Sequence, residues 1–221
     1  MKVIVTGASG MIGKGVLLEC LDHSDISEVL SISRKPIGIT HAKLKELIHN
    51  DFKEFSSVKN MLMGYDACYA CMGVSSAGMD EAQYMLMTYD FTMALAKELH
   101  IINQEMTFNY VSGQGTDSSE QGKSMWARVK GKTENALLNL GFKQAYMFRP
   151  GAIIPKRGVK ASSKLYRRLI FIFAWLLWLG KLLAPKSVVD TRQIGMAMIN
   201  STIRGYKKKV LKPIDILNLA S

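Results

Sequence analysis

At 221 residues, 48% hydrophobic and 21% charged, the chain excludes intrinsic disorder and is long enough for one domain with a full core. Its net charge of +11 is unevenly spread: residues 1–140 carry 13 Lys/Arg against 16 Asp/Glu, and residues 141–221 carry 16 against 2. Three cysteines make no paired disulfide framework, and no secretory leader pattern precedes the first apolar run, so a cytoplasmic location is expected.

Lys2 to Thr6 is a short apolar, β-branched run, the pattern of a buried parallel strand. Gly7, Gly10 and Gly13 follow at three-residue spacing, and Val16, Leu17, Cys20 and Leu21 then share one helical face. Strand, glycine turn and helix in that order are the setting of a dinucleotide-binding turn. Gly7 turns the chain off the strand, Gly10 admits the backbone close to a ligand, and Gly13 lets the helix pack tightly. The helix N-terminus favours an anion such as a pyrophosphate. Further strands are expected at Glu28–Ser33, Glu46–Asn50, Tyr65–Met72, Thr107–Val111 and Ala145–Phe148. Helices are expected at Phe55–Met63, Asp80–Ile102 and Ser124–Leu140. Tyr84, Met87, Phe91, Ala94, Leu95 and Leu99 form the apolar stripe of the long one. The alternation predicts the α/β class, with a Rossmann-type doubly wound parallel sheet. The chain reads as a single NAD(P)-binding domain, 1–221. A core over 1–150 carries a small appended helical lobe over 151–221, which includes an amphipathic helix at Thr191–Ile203 with Ile194, Met198 and Ile199 inward.

The end of the second strand reads Ser31-Ile32-Ser33-Arg34-Lys35. A carboxylate there would hold ribose hydroxyls and repel a ribose phosphate. None is present, and Arg34 can fork onto a phosphate, so NADP(H) is favoured over NAD(H). Two exposed cations after a strand are the plainer reading. Asp51 and Phe52 follow the third strand, where Asp51 would accept from the adenine amino group or simply close a turn. Cys68 and Cys71 lie three apart on an expected strand and so point to opposite faces, which fits buried structural cysteines better than a metal or redox pair. The four histidines show no ligand spacing, and no metal site is expected.

The Thr6-Gly7-x-x-Gly10-x-x-Gly13 start, Ser112 at the end of the fifth strand, Lys130 on the next helix and Arg149-Pro150-Gly151 resemble the short-chain dehydrogenase/reductase superfamily. The likeness is to its extended and atypical members, the NAD-dependent epimerase/dehydratase-like proteins, near the Tat-interacting-protein-like branch, and it covers residues 1–155. The resemblance implies cofactor contacts at Gly7, Ser9, Gly10, Met11, Ile12 and Gly13, at Arg34 and Lys35, and at Asp51 and Phe52. Further contacts would come from Cys71, Met72 and Gly73, and from Lys130 and Pro150. It also implies chemistry by a Ser, a Tyr and a Lys, with the Tyr four residues before the Lys. Ser112 and Lys130 match, as the group polarising a substrate carbonyl and the group holding the nicotinamide ribose. Trp126 stands at the Tyr position, and an indole N–H is not a useful acid at neutral pH. The proton donor would then be water, a substrate group or another tyrosine such as Tyr84. The expectation is an oxidoreductase on a carbonyl or hydroxyl substrate; the alternative is a non-catalytic NADP(H)-sensing or partner-binding protein.

Leu169 to Leu179 is an unbroken eleven-residue apolar run, short of the ~20 residues that span a bilayer. Arg167, Arg168, Lys181 and Lys186 flank it, and Trp175 and Trp178 lie in it. Residues 165–186 therefore read as a helix over the substrate cleft, an oligomer contact, or a peripheral anchor on anionic membrane. Lys207 to Lys209 lack interleaved aromatics, so no nucleic acid is expected, and the oligomeric state stays open.

Overall fold

The computed structural model describes residues 1–159 and 187–221. Among them, six strands of one parallel sheet come first in the chain: β1 (Lys2–Thr6), β2 (Glu28–Ser33), β3 (Leu44–Ile48), β4 (Ala67–Ala70), β5 (Thr107–Val111) and β6 (Gln144–Phe148). A separate parallel pair follows, β7 (Ala152–Ile154) with β8 (Val188–Asp190), and β9 (Val210–Leu211) then completes the main sheet. The main order is β3-β2-β1-β4-β5-β6-β9. The described α-helices are α1 (Met11–Asp22), α2 (Glu81–Met85), α3 (Phe91–Ile102), α4 (Met125–Leu138), α5 (Thr191–Arg204) and α6 (Pro213–Ala220), and a 3-10 helix spans Ser56–Leu62.

Alternation along β1 splits the core. Val3 and Val5 face one layer with Val16 and Leu17 of α1 and Ile194, Met198 and Ile199 of α5, while Ile4 faces the other with Leu95 and Leu99 of α3. β1 is therefore apolar on both faces, as a central parallel strand must be. The same alternation sends Cys68 to one layer and Cys71 to the other. β2 and β4 flank β1 on opposite sides, so the topological switch lies at the carboxyl ends of β1 and β4, where such sheets bind ligands.

The described end of segment 151–221 is built into this body. Ile194, Met198 and Ile199 are fully buried, and β9 pairs with β6. A capping box starts α5: Asp190 accepts from the Gln193 N–H at 2.8 Å, and Gln193 accepts from the Asp190 N–H at 2.9 Å. α1 and α5 pack closely, since a Cβ added at Gly15 would lie 2.5 Å from the Thr191 Cβ.

Three expected elements are corrected. β3 starts and ends two residues before the expected Glu46–Asn50, because the edge strand takes in Lys45, whose ammonium pairs with Glu28 of β2 at 2.6 Å. β4 is shorter than Tyr65–Met72, since a turn already begins where the Cys71 N–H donates to the Tyr69 carbonyl. The long helix over 80–102 is interrupted by a π-helical turn at Leu86–Asp90. The wider turn rotates the faces around it. Met93 and Ala96 join the core, while Met87 and Phe91 are only half-buried. Among the described residues no helix is long and apolar enough to cross a membrane. The apolar run at 169–179 lies outside the described residues.

Candidate functional site

The glycine turn is made by contacts that exclude side chains. Gly7 has φ +71°, and a Cβ on it would lie 2.6 Å from the Cys71 carbonyl carbon, so the turn sits directly on the end of β4. A Cβ on Gly13 would lie 2.2 Å from the Gly7 carbonyl oxygen, so α1 begins against the turn. Gly10 caps α1; a Cβ there would meet only the Gly7 carbonyl oxygen, at 3.3 Å. Among the described residues no side chain caps α1, and no acid stands in its first turn. Its first N–H groups are left for a ligand, and the positive end of the helix is unopposed. This cradle fits a dinucleotide pyrophosphate.

A cavity of about 180 Å³ opens at this point. Of the residues expected from the sequence, Gly7, Ser9, Gly10, Arg34, Phe52, Cys71, Met72 and Gly73 line it together. Val74, Met87 and Phe91 complete it; the sequence reading missed them, and Met87 and Phe91 reach it because the π turn re-aims their helix. Phe52 and Phe91 form an aromatic wall, with ring centroids 6.1 Å apart. Lys35 and Asp51 are exposed and lie outside this lining. The Asp51 carboxylate accepts from the Lys53 N–H at 3.0 Å, so it closes its own turn. Met11 lines neither this cavity nor the next, and Gly13 is buried against the turn.

A second cavity of about 710 Å³ adjoins the first through Val74 and holds Ile12, Lys130, Ser112 and Pro150. Ser75, Ser76, Tyr84, Gln114, Trp126 and Ile153 also line it. Trp126, Lys130 and Glu134 recur every four residues along α4 and so share one face. The Trp126 ring lies over Gly115, whose added Cβ would be 3.2 Å from the ring edge. Lys130 donates from Nζ to the Ser112 carbonyl at 2.7 Å. Burial pushes its ammonium down to about 8, against the opposing pull of Glu134. The Ser112 hydroxyl donates to Glu134 Oε1 at 2.5 Å. Glu134 is fully buried and receives Arg149 Nε on both oxygens, at 3.0 and 3.1 Å, with Nη2 closing the fork. Arg149 Nη2 also donates to the Ser118 hydroxyl at 2.5 Å. Ser112 is thus brought beside Lys130 as expected, but its single hydroxyl proton is already given to Glu134. The sequence reading gave Glu134 no role; its four-residue offset from Lys130 was the signal that could have found it. Burial raises the Tyr84 phenol above its ordinary value, while the nearby Thr88 hydroxyl lowers it.

The model of the NAD dependent epimerase/dehydratase family matches residues 3–118, just over half the chain. The chain belongs to that family. The family is named as NAD dependent, the neighbouring structure of WbmF is a complex with NAD+, and the glycine cradle lies within the matched residues. The chain is 26% identical over 172 residues to protein HTATIP2 of Rattus norvegicus, covering 77% of this chain and 70% of that one. It is 24% identical over 219 residues to the mitochondrial protein FMP52 of Candida albicans, covering 96% and 93%. Among solved structures, Bordetella bronchiseptica WbmF in complex with NAD+ superposes with a TM-score of 0.68 at 12% identity, over 98% of this chain and 76% of that one. A short chain dehydrogenase family protein from Francisella tularensis gives 0.63 at 17% identity, over 92% and 91%. At these identities the two structures establish the fold alone.

Proposed function

We propose that this family member binds NADP(H) across the two adjoining cavities and interconverts a carbonyl and a hydroxyl on a small-molecule substrate. The observation that carries the reading is the convergence of Gly7, Ser9, Gly10, Arg34, Phe52, Cys71, Met72 and Gly73 on one cavity at the N-terminus of α1. The first-turn N–H groups of α1 would take the pyrophosphate. Arg34 would take the ribose phosphate, with no carboxylate at the end of β2 to oppose it. Lys130 would give an N–H to the nicotinamide ribose. The bound cofactor supplies a hydride to a carbonyl carbon, or accepts one from a carbinol. Ser112, its proton given to Glu134, offers the substrate lone pairs and so orients a hydroxyl rather than polarising a carbonyl.

Calorimetry tests the cofactor. NADPH should bind at least about tenfold more tightly than NADH, because a charge-assisted contact contributes roughly 1.5–3 kcal/mol. Arg34→Ala should erase most of that difference. Equal affinities in the wild type would sink the assignment to NADP(H).

Trp126 in the second cavity favours one other reading, a protein that senses or presents NADP(H) without turnover. A cytoplasmic location belongs to the proposal, although FMP52 is named as mitochondrial. So does peripheral contact with anionic membrane through residues 165–186, whose flanking cations are worth ~1 kcal/mol each near such a surface. The wild type should co-sediment with anionic vesicles and not neutral ones, and high salt should release it. Indifference to vesicle charge would end that part of the proposal.

A further inference from the structure

We infer that Lys130 Nζ is itself the acid and base of the reaction, exchanging a proton directly with the substrate oxygen rather than through a neighbouring phenol. The inference rests on the oxidoreductase reading above.

Among the described residues the second cavity offers few groups able to move a proton. Trp126 presents an indole N–H, which donates a hydrogen bond and does not ionise near neutrality. Ser112 has one hydroxyl proton, and it is already donated in a hydrogen bond to Glu134. Glu134 lies behind Ser112 and outside the cavity lining, with both oxygens taken by Arg149. Tyr84 lines the cavity, but it is 2% exposed, and burial makes its phenol a weaker acid than usual. Lys130 lines the cavity with one N–H on the Ser112 carbonyl, and this is its one hydrogen bond among the described residues. Two N–H groups remain, enough for a ribose hydroxyl and a substrate oxygen together.

The step balances. On reduction, the carbonyl carbon receives the hydride of bound NADPH and the oxygen keeps the π electron pair. That oxygen takes H⁺ from the Lys130 ammonium, leaving a neutral amine that regains a proton from water. The amine still donates to the Ser112 carbonyl, so no buried charge is stranded. Oxidation runs the same path in reverse, with the amine as base. Burial brings the ammonium to about 8, close to the neutral range where a general acid works best. The other groups acting here are Glu134 on the same helix, Arg149 through its fork on Glu134, Tyr84 from α2 and Tyr110 from β5. Both phenols are raised by burial and stay neutral across that range.

The test uses the full chain, NADPH, and 9,10-phenanthrenequinone as the carbonyl probe. The wild-type rate should fall about tenfold per pH unit above about 8, as the acid loses its proton. Lys130→Arg keeps the cation but cannot release a proton in this range. It should lower kcat by about 100-fold or more and abolish the alkaline limb, with NADPH affinity held within about tenfold, 1.4 kcal/mol. Tyr84→Phe should keep the limb. Loss of the limb in Tyr84→Phe overturns the proposal, as does a Lys130→Arg variant that retains both rate and limb. A readout independent of turnover is the ¹³C spectrum of the reductively methylated protein. The resonance missing from Lys130→Arg should titrate near 8, and titration at the ordinary lysine value overturns the proposal. A wild type that binds NADPH but reduces no probe also overturns it and leaves the nucleotide-binding reading standing. A wild type that binds no NADPH removes that reading, and the proposal with it.

Discussion

The two cavities adjoin, yet they are built on opposite principles. The first is shaped by missing side chains and apolar walls: Gly7, Gly10 and Gly13 hold the turn, and Phe52 and Phe91 close the side. Its polar contacts are for a ligand to make. The second is shaped by polar groups already committed to one another: Lys130 to Ser112, Ser112 to Glu134, and Glu134 to Arg149. A binding cradle of backbone asks little of neighbouring side chains, so it tolerates an unusual residue next door. A buried ionic network is coupled throughout, and one change in it is felt by every member.

Arg149→Met should disturb the second cavity most. It leaves Glu134 buried without its counter-charge, which typically costs about 3–5 kcal/mol. Urea denaturation should show the loss as a lower midpoint, while the folded fraction keeps its nucleotide affinity. A loss below about 1 kcal/mol, the range of an exposed pair, would mean the network does not hold the second cavity together.

Gly10→Val should have the converse effect. Gly10 has φ −85° and ψ 168°, a conformation valine adopts readily, so the fold should persist. The side chain would stand where the pyrophosphate must approach, and affinity for NADPH should fall by about 100-fold, or 2.7 kcal/mol. Equal affinity by calorimetry would strip the cradle of its functional reading.

A smaller effect sharpens the contrast by pH. Folding lowers the Lys130 pKa from 10.5 to about 8, so between those values the unfolded chain binds more protons than the folded one. Its contribution to stability therefore rises with pH across that window; below about 8 the full cost of burying the charge is present. Lys130→Met should remove the rise, so its stability relative to wild type should decline as pH is raised from about 7.5 to about 9.5. A constant difference would show that the ammonium is not desolvated.

What was legible in the sequence follows the same division. The strand–glycine–helix start depends on spacing along one short stretch, and local spacing is what a sequence displays. The inward face of α5 was legible for the same reason. The π turn at 86–90 was not, because no residue in it signals a wider turn and the shift of the apolar stripe past it is small. Asp51 was half legible: the same carboxylate serves an adenine or a turn, and the structure shows the turn contact, from the Lys53 N–H at 3.0 Å. The Ser112–Glu134–Arg149 network joins the ends of β5 and β6 to α4. Those residues meet because β5 and β6 are neighbours in the sheet, a fact of topology rather than spacing. Trp126 was the one sign from sequence alone that the second cavity departs from the superfamily pattern.

The return of residues 187–221 to the body of the fold also bears on how the chain folds. α5 covers α1, and β9 closes the edge beside β6, so segments about 180 residues apart must meet before one face of the sheet is sealed. During synthesis the flank of α1 around Gly15 and Val16 waits for α5, while α3 can cover the opposite face much sooner. Stalling before Thr191 would thus yield a half-dressed sheet with a sticky flank, a natural client for a chaperone and a starting point for aggregation.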